Sequence, residues 1–339
     1  MFPPDQSLDQ SPDQATSATT IEVSVVVPVY NGEQDLPQLL AGLRSQTYPR
    51  ERVEYLLVDN GSCDRTPELL QTACEQAQPQ GLTLRSLRYD TIQSSYAARN
   101  AGIRATRGAI VAFTDADCAP DPEWLTHLIS PFSEATVGLV VGEIQAQPST
   151  TLLEHYADHQ GILSQTNTLA HPFCPYGQTA NLAIRRLALE KVGLFRPHLT
   201  TGGDADMCWR LQQQGGWQLR FAEQAVIRHR HRQTLAELRR QWQRYGRSNR
   251  FLHELYGVQL MRPLYPKETR YRLLRWVGKE LPQGLFKWLT GRGSAIDLIV
   301  TPLDLICANA RTQGQQHSAL PPRGPKPLHG SMRNWDVTF

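Results

Sequence analysis

The 339-residue sequence has no Cys-x-x-Cys pair. Its six cysteines, Cys63, Cys74, Cys118, Cys174, Cys208 and Cys307, lie far apart. That argues against a disulfide framework and suits reduced thiols of a cytoplasmic protein. No apolar run reaches the roughly 20 residues that a bilayer crossing needs. The nearest, "AIDLIVTPLDLICANA", is broken by Asp297, Pro302 and Asp304. The first twenty residues are polar, lack the apolar core of a secretory leader and read as a disordered tail. The formal net charge is only +3, so nucleic acid is not an expected partner. The first strand is followed by "PVYNGEQD", with no Gly-x-Gly-x-x-Gly, which argues against a dinucleotide-dependent oxidoreductase. Nor is there a Gly-x-x-x-x-Gly-Lys-Ser/Thr loop of a P-loop enzyme, or the Gly- and Arg-rich opening loop of a sugar-phosphate nucleotidyltransferase.

What is present is a regular alternation. Apolar residues make up 40% of the chain, enough for a full core. "IEVSVVVPV", "VEYLLVD", "LTLRSLRYD" and "GAIVAFTDADC" read as strands, and the first, rich in β-branched residues, suits burial on both faces. Helical spacing separates them, as in Leu36, Leu39, Leu40 and Leu43, and again in "SYAARNAGIRAT". Such alternation predicts a doubly wound, mostly parallel sheet. Ligands bind such sheets beyond the carboxyl ends of the strands. The polar turns "PVYNG", "VDNGS" and "TDADC" fall there and are expected to meet in one crevice. "DPEWLTHLISPF" opens a helix that Asp121 is placed to cap. Farther on, "VGLVVGEIQAQ" and "WQLRFAEQAVIRHRH" read as strands, and "TGGDADMCWRLQQQG" and "TLAELRRQWQRYGRSNRF" as helices.

Several clusters have the composition of a site, and each also has a plainer explanation. Asp115 and Asp117 could ligate one hard divalent cation through oxygen, or simply form a solvated turn. Asp59 in "VDNGS" could accept hydrogen bonds from a ribose or base, or serve the turn. Arg99 could contact a base or phosphate, or make a salt bridge. Asp204 and Asp206 could supply a general base, or stabilise a helix start. His229 and His231 could complete a metal site, or belong to a basic strand with Arg228, Arg230 and Arg232.

The order of these clusters along one chain resembles the family 2 glycosyltransferases of GT-A fold. "SVVVPVYNG", "VDNGSCDRT", "AARNAGI", "FTDADC" and "GGDADMCWRL" are similar to successive signatures of that family over residues 21–250. Asn60 and Gly203 stand where the family more often has Asp and Glu. "QWQRY" is similar to the Gln-x-x-Arg-Trp motif of processive synthases, with Tyr245 replacing Trp.

The resemblance implies an α/β GT-A fold, a doubly wound mixed sheet with a C-terminal helical extension. It implies inverting transfer of a sugar from a nucleoside diphosphate (UDP, GDP or dTDP) to a hydroxyl of a glycan or lipid-linked acceptor. Pro28, Tyr30, Glu33, Asp59, Arg99 and Asp115 would form the nucleotide site. Asp115, Asp117 and His229 would hold Mg²⁺ or Mn²⁺. Gln241, Arg244 and Tyr245 would serve the acceptor or diphosphate, and Asp204 would be the general base. A non-catalytic sugar-nucleotide or glycan-binding module is the competing class. The expected organisation is a disordered tail at 1–20, a catalytic domain at 21–250, a helical extension at 251–310 and a flexible tail at 311–339. "YRLLRWVGKELPQGLFKWLTGRG" could lie on a bilayer surface, giving a peripheral protein on the inner face of the membrane, or could pack on the catalytic domain.

Overall fold

The computed structural model describes residues 21–320. The first β-branched run forms β1 (Val23–Val29), buried along its length except at Pro28. Then come α1 (Leu36–Arg44), β2 (Val53–Asp59), α2 (Thr66–Ala77), β3 (Thr83–Arg88), α3 (Ser95–Ala105) and β4 (Ile110–Phe113). These four strands are parallel, in the spatial order β3-β2-β1-β4. The strand order reverses between β1 and β4, so a crevice opens beyond their carboxyl ends.

The rest of the sheet is built from β5 (Cys118–Pro120), β6 (Val137–Ala146), β7 (Leu182–Arg185) and β8 (Gln218–His229). Between them lie α4 (Trp124–Ile129), α5 (Leu152–His159), α6 (Gln165–Leu169), α7 (Arg186–Val192) and α8 (Gly203–Gln213). β7 runs antiparallel to both β4 and β6, β8 runs parallel to β6, and the short β5 runs antiparallel to β8. The result is a mixed eight-stranded sheet.

Alternation along β1 sorts its side chains between two cores. Val25 and Val27 join Leu39 of α1, Leu70 of α2 and Trp124 of α4 on one face. Val26 joins Ile103 of α3, Leu189 of α7 and Leu211 of α8 on the other. Gly102 lets α3 lie directly on the sheet, since a Cβ there would collide with Val26 and reach 3.2 Å from Val58 Cγ2.

The C-terminal part is helical: α9 (Leu235–Tyr256), α10 (Pro266–Arg275), α11 (Leu281–Leu289) and α12 (Val300–Gln316). α9 begins at a capping box formed by Thr234 and Glu237, and ends at Gly257 in the left-handed region. It runs uninterrupted through residue 250, where the catalytic domain was expected to end. α12 packs along α9 with the backbones almost touching. A Cβ on Gly246 would strike the Arg311 carbonyl, and one on Gly314 would strike the Gln243 carbonyl.

Two expectations are corrected. Residues 311–316, assigned to the flexible tail, are the end of α12; the stretches 1–20 and 321–339 lie outside the described residues. Asp121 does not cap α4 with its side chain. Its carboxylate forms a two-pronged pair with Arg228, both hydrogen bonds being 3.0 Å, because β5 brings it against β8.

The α9–α12 seam yields a test. Gly314→Ala must push the helices apart at a carbonyl that cannot yield, at a cost of about 1–3 kcal/mol. Thermal melting is expected to show the loss, and limited proteolysis to release the C-terminal helices earlier than in the wild type.

Candidate active site

Beyond β1 and β2, two loops are stitched together by backbone amides. The Asn31 N–H donates to Ser62 Oγ at 2.9 Å, the Gly32 N–H to Thr66 Oγ1 at 2.8 Å, and the Glu33 N–H to Asp64 Oδ2 at 3.2 Å. Asn31 adopts a φ of 48°, which asparagine tolerates. Tyr30 is left half exposed at the crevice rim, while Glu33 accepts from the Arg65 N–H at 3.2 Å. Asp59 closes β2. It is buried, accepts from the Ser62 N–H at 2.9 Å and pairs with Arg88 at 3.0 Å. Asn60 donates to the Tyr89 and Ile92 carbonyls at 2.7 and 3.0 Å and so braces the loop before α3.

α3 carries Arg99 into the interior, where it is only 2% exposed. Its guanidinium pairs with Asp115 and lies 5.7 Å from the Tyr96 ring centroid. It also faces Asp204, in the first turn of α8. Burial pushes the Asp204 carboxyl above its ordinary value, Arg99 opposes this, and Asp115 adds to it. Thr179 Oγ1 donates to Asp204 Oδ1 at 2.9 Å. Gly202 enters α8 at φ 76°, and the Gly203 N–H donates to the Tyr96 hydroxyl at 3.0 Å. The Tyr96 ring explains why residue 203 is Gly rather than Glu: a Cβ there would approach the ring to 2.7 Å.

Asp206, two residues on, has a different fate. It is fully buried and pairs with Arg196 at 2.9 Å and Arg210 at 3.1 Å, and it accepts from the Tyr256 hydroxyl at 2.6 Å. Burial alone would raise its pKa, but these partners hold the carboxyl below its usual value.

The pairing of β5 with β8 sets Cys118 opposite His229 and carries Asp117 to the imidazole. His229 Nε2 lies 3.2 Å from Asp117 Oδ2, and Arg232 reaches the same oxygen at 3.3 Å. Burial pushes Asp117 up, yet His229 and Arg232 outweigh it and hold the carboxyl well below the normal range. His231, by contrast, lines a separate cavity of about 440 Å³ together with His155 and Asp158. Arg228 and Arg230 are committed to Asp121 and Asp35.

Among the described residues, Asp117, Cys118 and His229 place one potential ligand atom each within 4.8 Å of one another. Burial, followed by the charges of Asp117 and Asp115, pushes the Cys118 thiol well above its usual pKa, and a thiol is a soft donor that hard cations such as Mg²⁺ and Mn²⁺ do not favour. The carboxylate and imidazole that remain fit a divalent cation. The Nδ1 of His229 is buried with no hydrogen-bond partner among the described residues. Asp115 stands outside this trio, held by Arg99.

α9 brings the "QWQRY" residues to the same region. Gln241 Nε2 donates to the Tyr245 hydroxyl at 3.0 Å. Burial depresses the Arg244 pKa and the nearby Arg232 adds to that, while Asp117 counters it. Tyr245 and Asp204 both border a cavity of about 510 Å³ that Arg272 of α10 and Asp304 and Arg311 of α12 also line. The C-terminal helices thus complete the chamber that contains Asp204.

A model of glycosyl transferase family 2 matches residues 24–193, and one of glycosyl transferase family group 2 matches residues 110–303. The chain belongs to the family 2 glycosyl transferases. Glycosyltransferase AglE of Haloferax volcanii is 36% identical over 60% of this chain and 65% of its own length. The pre-mycofactocin glycosyltransferase of Mycobacterium tuberculosis is 30% identical over 64% of this chain and 44% of its own. The chain thus spans less than two thirds of either relative. Mannosyltransferase PcManGT from Pyrobaculum calidifontis, solved with GDP-Man and Mn²⁺, superposes with a TM-score of 0.61 over 92% of both chains at 19% identity. That match bears out the GT-A architecture.

Among the residues of this family 2 site, sequence reading missed Thr179, Cys118 and Asp35. No local pattern marks "GQTANL" as a partner of Asp204. Cys118 was legible only as the residue after the acidic pair.

The two aspartates of α8 yield opposite expectations. Asp206→Ala strands a buried guanidinium and is expected to cost about 3–5 kcal/mol in a denaturation experiment. The Asp206 contribution is present at neutral pH and fades on acidification below its unfolded value of about 4. Asp204 has the opposite sign: its raised pKa means that ionisation in the folded state costs stability as pH rises through that value. Asp204→Asn, which can still accept from Thr179, is therefore expected to melt no lower than the wild type at pH 7.

Proposed function

We propose that the chain is an inverting, metal-dependent glycosyltransferase that moves a sugar from a nucleoside diphosphate to an acceptor hydroxyl. The observation that carries this is Asp204. It is a carboxylate of raised pKa on the wall of a cavity large enough for a sugar, and it faces the Arg99–Asp115 pair at the carboxyl edge of the sheet. The family membership and the GT-A architecture support the same reading.

In this reading Pro28, Tyr30, Glu33, Asp59 and Arg99 form the nucleotide side. Tyr30 offers an exposed ring to the base, and Asp59 orders the loop that frames the ribose. Asp117 and His229 would hold a Mn²⁺ or Mg²⁺ ion, with Asp115, paired to Arg99, offering its remaining oxygen as a further ligand; when bound, the ion neutralises negative charge on the diphosphate leaving group. Arg244 and Arg232 add fixed positive charge on the same side. Such charges accelerate transfer because they bind the developing diphosphate anion more tightly than the intact donor.

On the acceptor side, Asp204 takes the proton of the attacking hydroxyl as the new bond forms. Burial makes the carboxylate more basic than an ordinary aspartate, and the nearby Arg99 opposes that shift. Thr179 orients one oxygen and leaves the other for the acceptor. Displacement from the face opposite the diphosphate inverts the anomeric centre. Gln241 and Tyr245 line the path between donor and acceptor. The acceptor is the hydroxyl of a glycan or of a lipid-linked molecule, met at the inner face of the membrane.

Four results are expected. In a panel of UDP-, GDP- and dTDP-sugars with Mn²⁺ or Mg²⁺, at least one donor is turned over, with release of its nucleotide. Binding of a sugar nucleotide without any turnover would favour the non-catalytic binding module instead. Asp204→Asn lowers transfer by about 10²–10⁴-fold with donor affinity unchanged by calorimetry. In the wild type, kcat falls on acidification at a pH above the ordinary carboxylate value of about 4, because the base must be ionised. Chelation of divalent ions, or Asp117→Ala, weakens nucleotide binding by calorimetry; unaltered binding in both would remove the metal from the scheme.

A further inference from the structure

The helical pair α10–α11 has an apolar stripe with nothing packed on it. From Pro266 to Leu289, through the π-helical turn that joins the two helices, Gly284 is the one buried residue. Ten of the sixteen large hydrophobic side chains exposed among the described residues fall between Met261 and Leu289. Tyr271, Leu274, Phe286 and Leu289 are each 64–71% exposed. Tyr271, Leu274 and Val277, then Leu285 and Trp288, recur at helical spacing. A stripe of this size is not the scattered apolar exposure of an ordinary surface.

Charge identifies the occupant. Residues 262–292 hold eight Lys and Arg against two Glu, so the rest of the chain, given the total of +3, carries −3. Arg262, Arg272 and Arg275 are paired with Glu268, Asp304 and Glu280. Lys267, Arg270, Lys279, Lys287 and Arg292 are exposed and lack a carboxylate partner among the described residues. A second copy of the chain is a poor occupant, because a two-fold contact would set these cations against themselves. No described helix is long and apolar enough to cross a membrane. A helix pair with an apolar stripe, aromatic residues and flanking cations lies instead in the plane of an anionic bilayer.

We propose that the exposed face of α10–α11 is a docking surface for an anionic phospholipid bilayer. Arg272, next to Tyr271 on α10, lines the cavity that contains Asp204. Docking would therefore set the mouth of that cavity at the headgroup layer, where a lipid-linked acceptor presents its hydroxyl. This last step deepens the proposed function and rests on it; the docking itself does not.

The test is flotation of the full chain with vesicles of phosphatidylcholine, with and without phosphatidylglycerol. Wild type is expected to float with the phosphatidylglycerol vesicles and to lose binding as salt is raised. Leu274→Glu/Phe286→Glu/Leu289→Glu, all at exposed positions, abolishes flotation without changing thermal stability or donor hydrolysis in the absence of vesicles. Lys279→Gln/Lys287→Gln/Arg292→Gln binds about 100-fold more weakly. Failure of the wild type to float overturns the proposal. So does flotation that survives the triple Glu change, or a dimer in solution that the triple Glu change dissociates. Wild type that floats but turns over no donor would sink the proposed function and leave the docking surface standing.

Discussion

A guanidinium buried beneath an acidic crevice is the constraint on which the rest of this structure depends. Arg99 is almost wholly removed from water, and an unpaired cation there would be very costly. Asp115 compensates it directly, and Asp204 does so through its field. The arrangement works in both directions. Two carboxylates from distant parts of the chain can share one crevice because a cation of the protein's own faces both. That cation can be buried because α3, with Gly102 against Val26, lies flush on the sheet.

Tyr96 ties the same helix to α8. Its ring flanks Arg99, its hydroxyl receives the Gly203 N–H, and its bulk requires that residue 203 lack a side chain. The position of Asp204 thus follows from the packing of α3 as much as from its own helix. On the far side, α9 and α12 meet through two glycines and close the cavity around that carboxylate. The C-terminal helices are therefore part of the candidate site, although the alternation of strands and helices that defines the catalytic fold ends before them.

Much of this was legible in the chain. β1, β2 and β4 were readable because strands buried on both faces are largely apolar runs, and the turns at their carboxyl ends are polar. The acidic pair after β4 was conspicuous for the same reason. Other features were not. Asp204 and Asp206 look equivalent on a helix start, yet one borders a cavity and the other is locked among Arg196, Arg210 and Tyr256. His229 and His231 share a strand pattern, yet only His229 meets Asp117. Asp121 resembles a helix cap, but the partner that claims it, Arg228, lies on another strand. The stripe on α10–α11 has the periodicity of a buried helix, and sequence cannot say whether anything covers it.

The sequence by itself determined most of the elements, the parallel half of the sheet and the chemical character of each turn, because these follow from local periodicity and side-chain type; the short β5 and β7, which make the sheet mixed, did not show in it. Tertiary structure decided which charges pair, which carboxylate is left to react and which apolar stripe stays uncovered. Those outcomes depend on distances between residues far apart in the chain. They also depend on burial, which sets the pKa of a carboxyl only once the fold has chosen its neighbours.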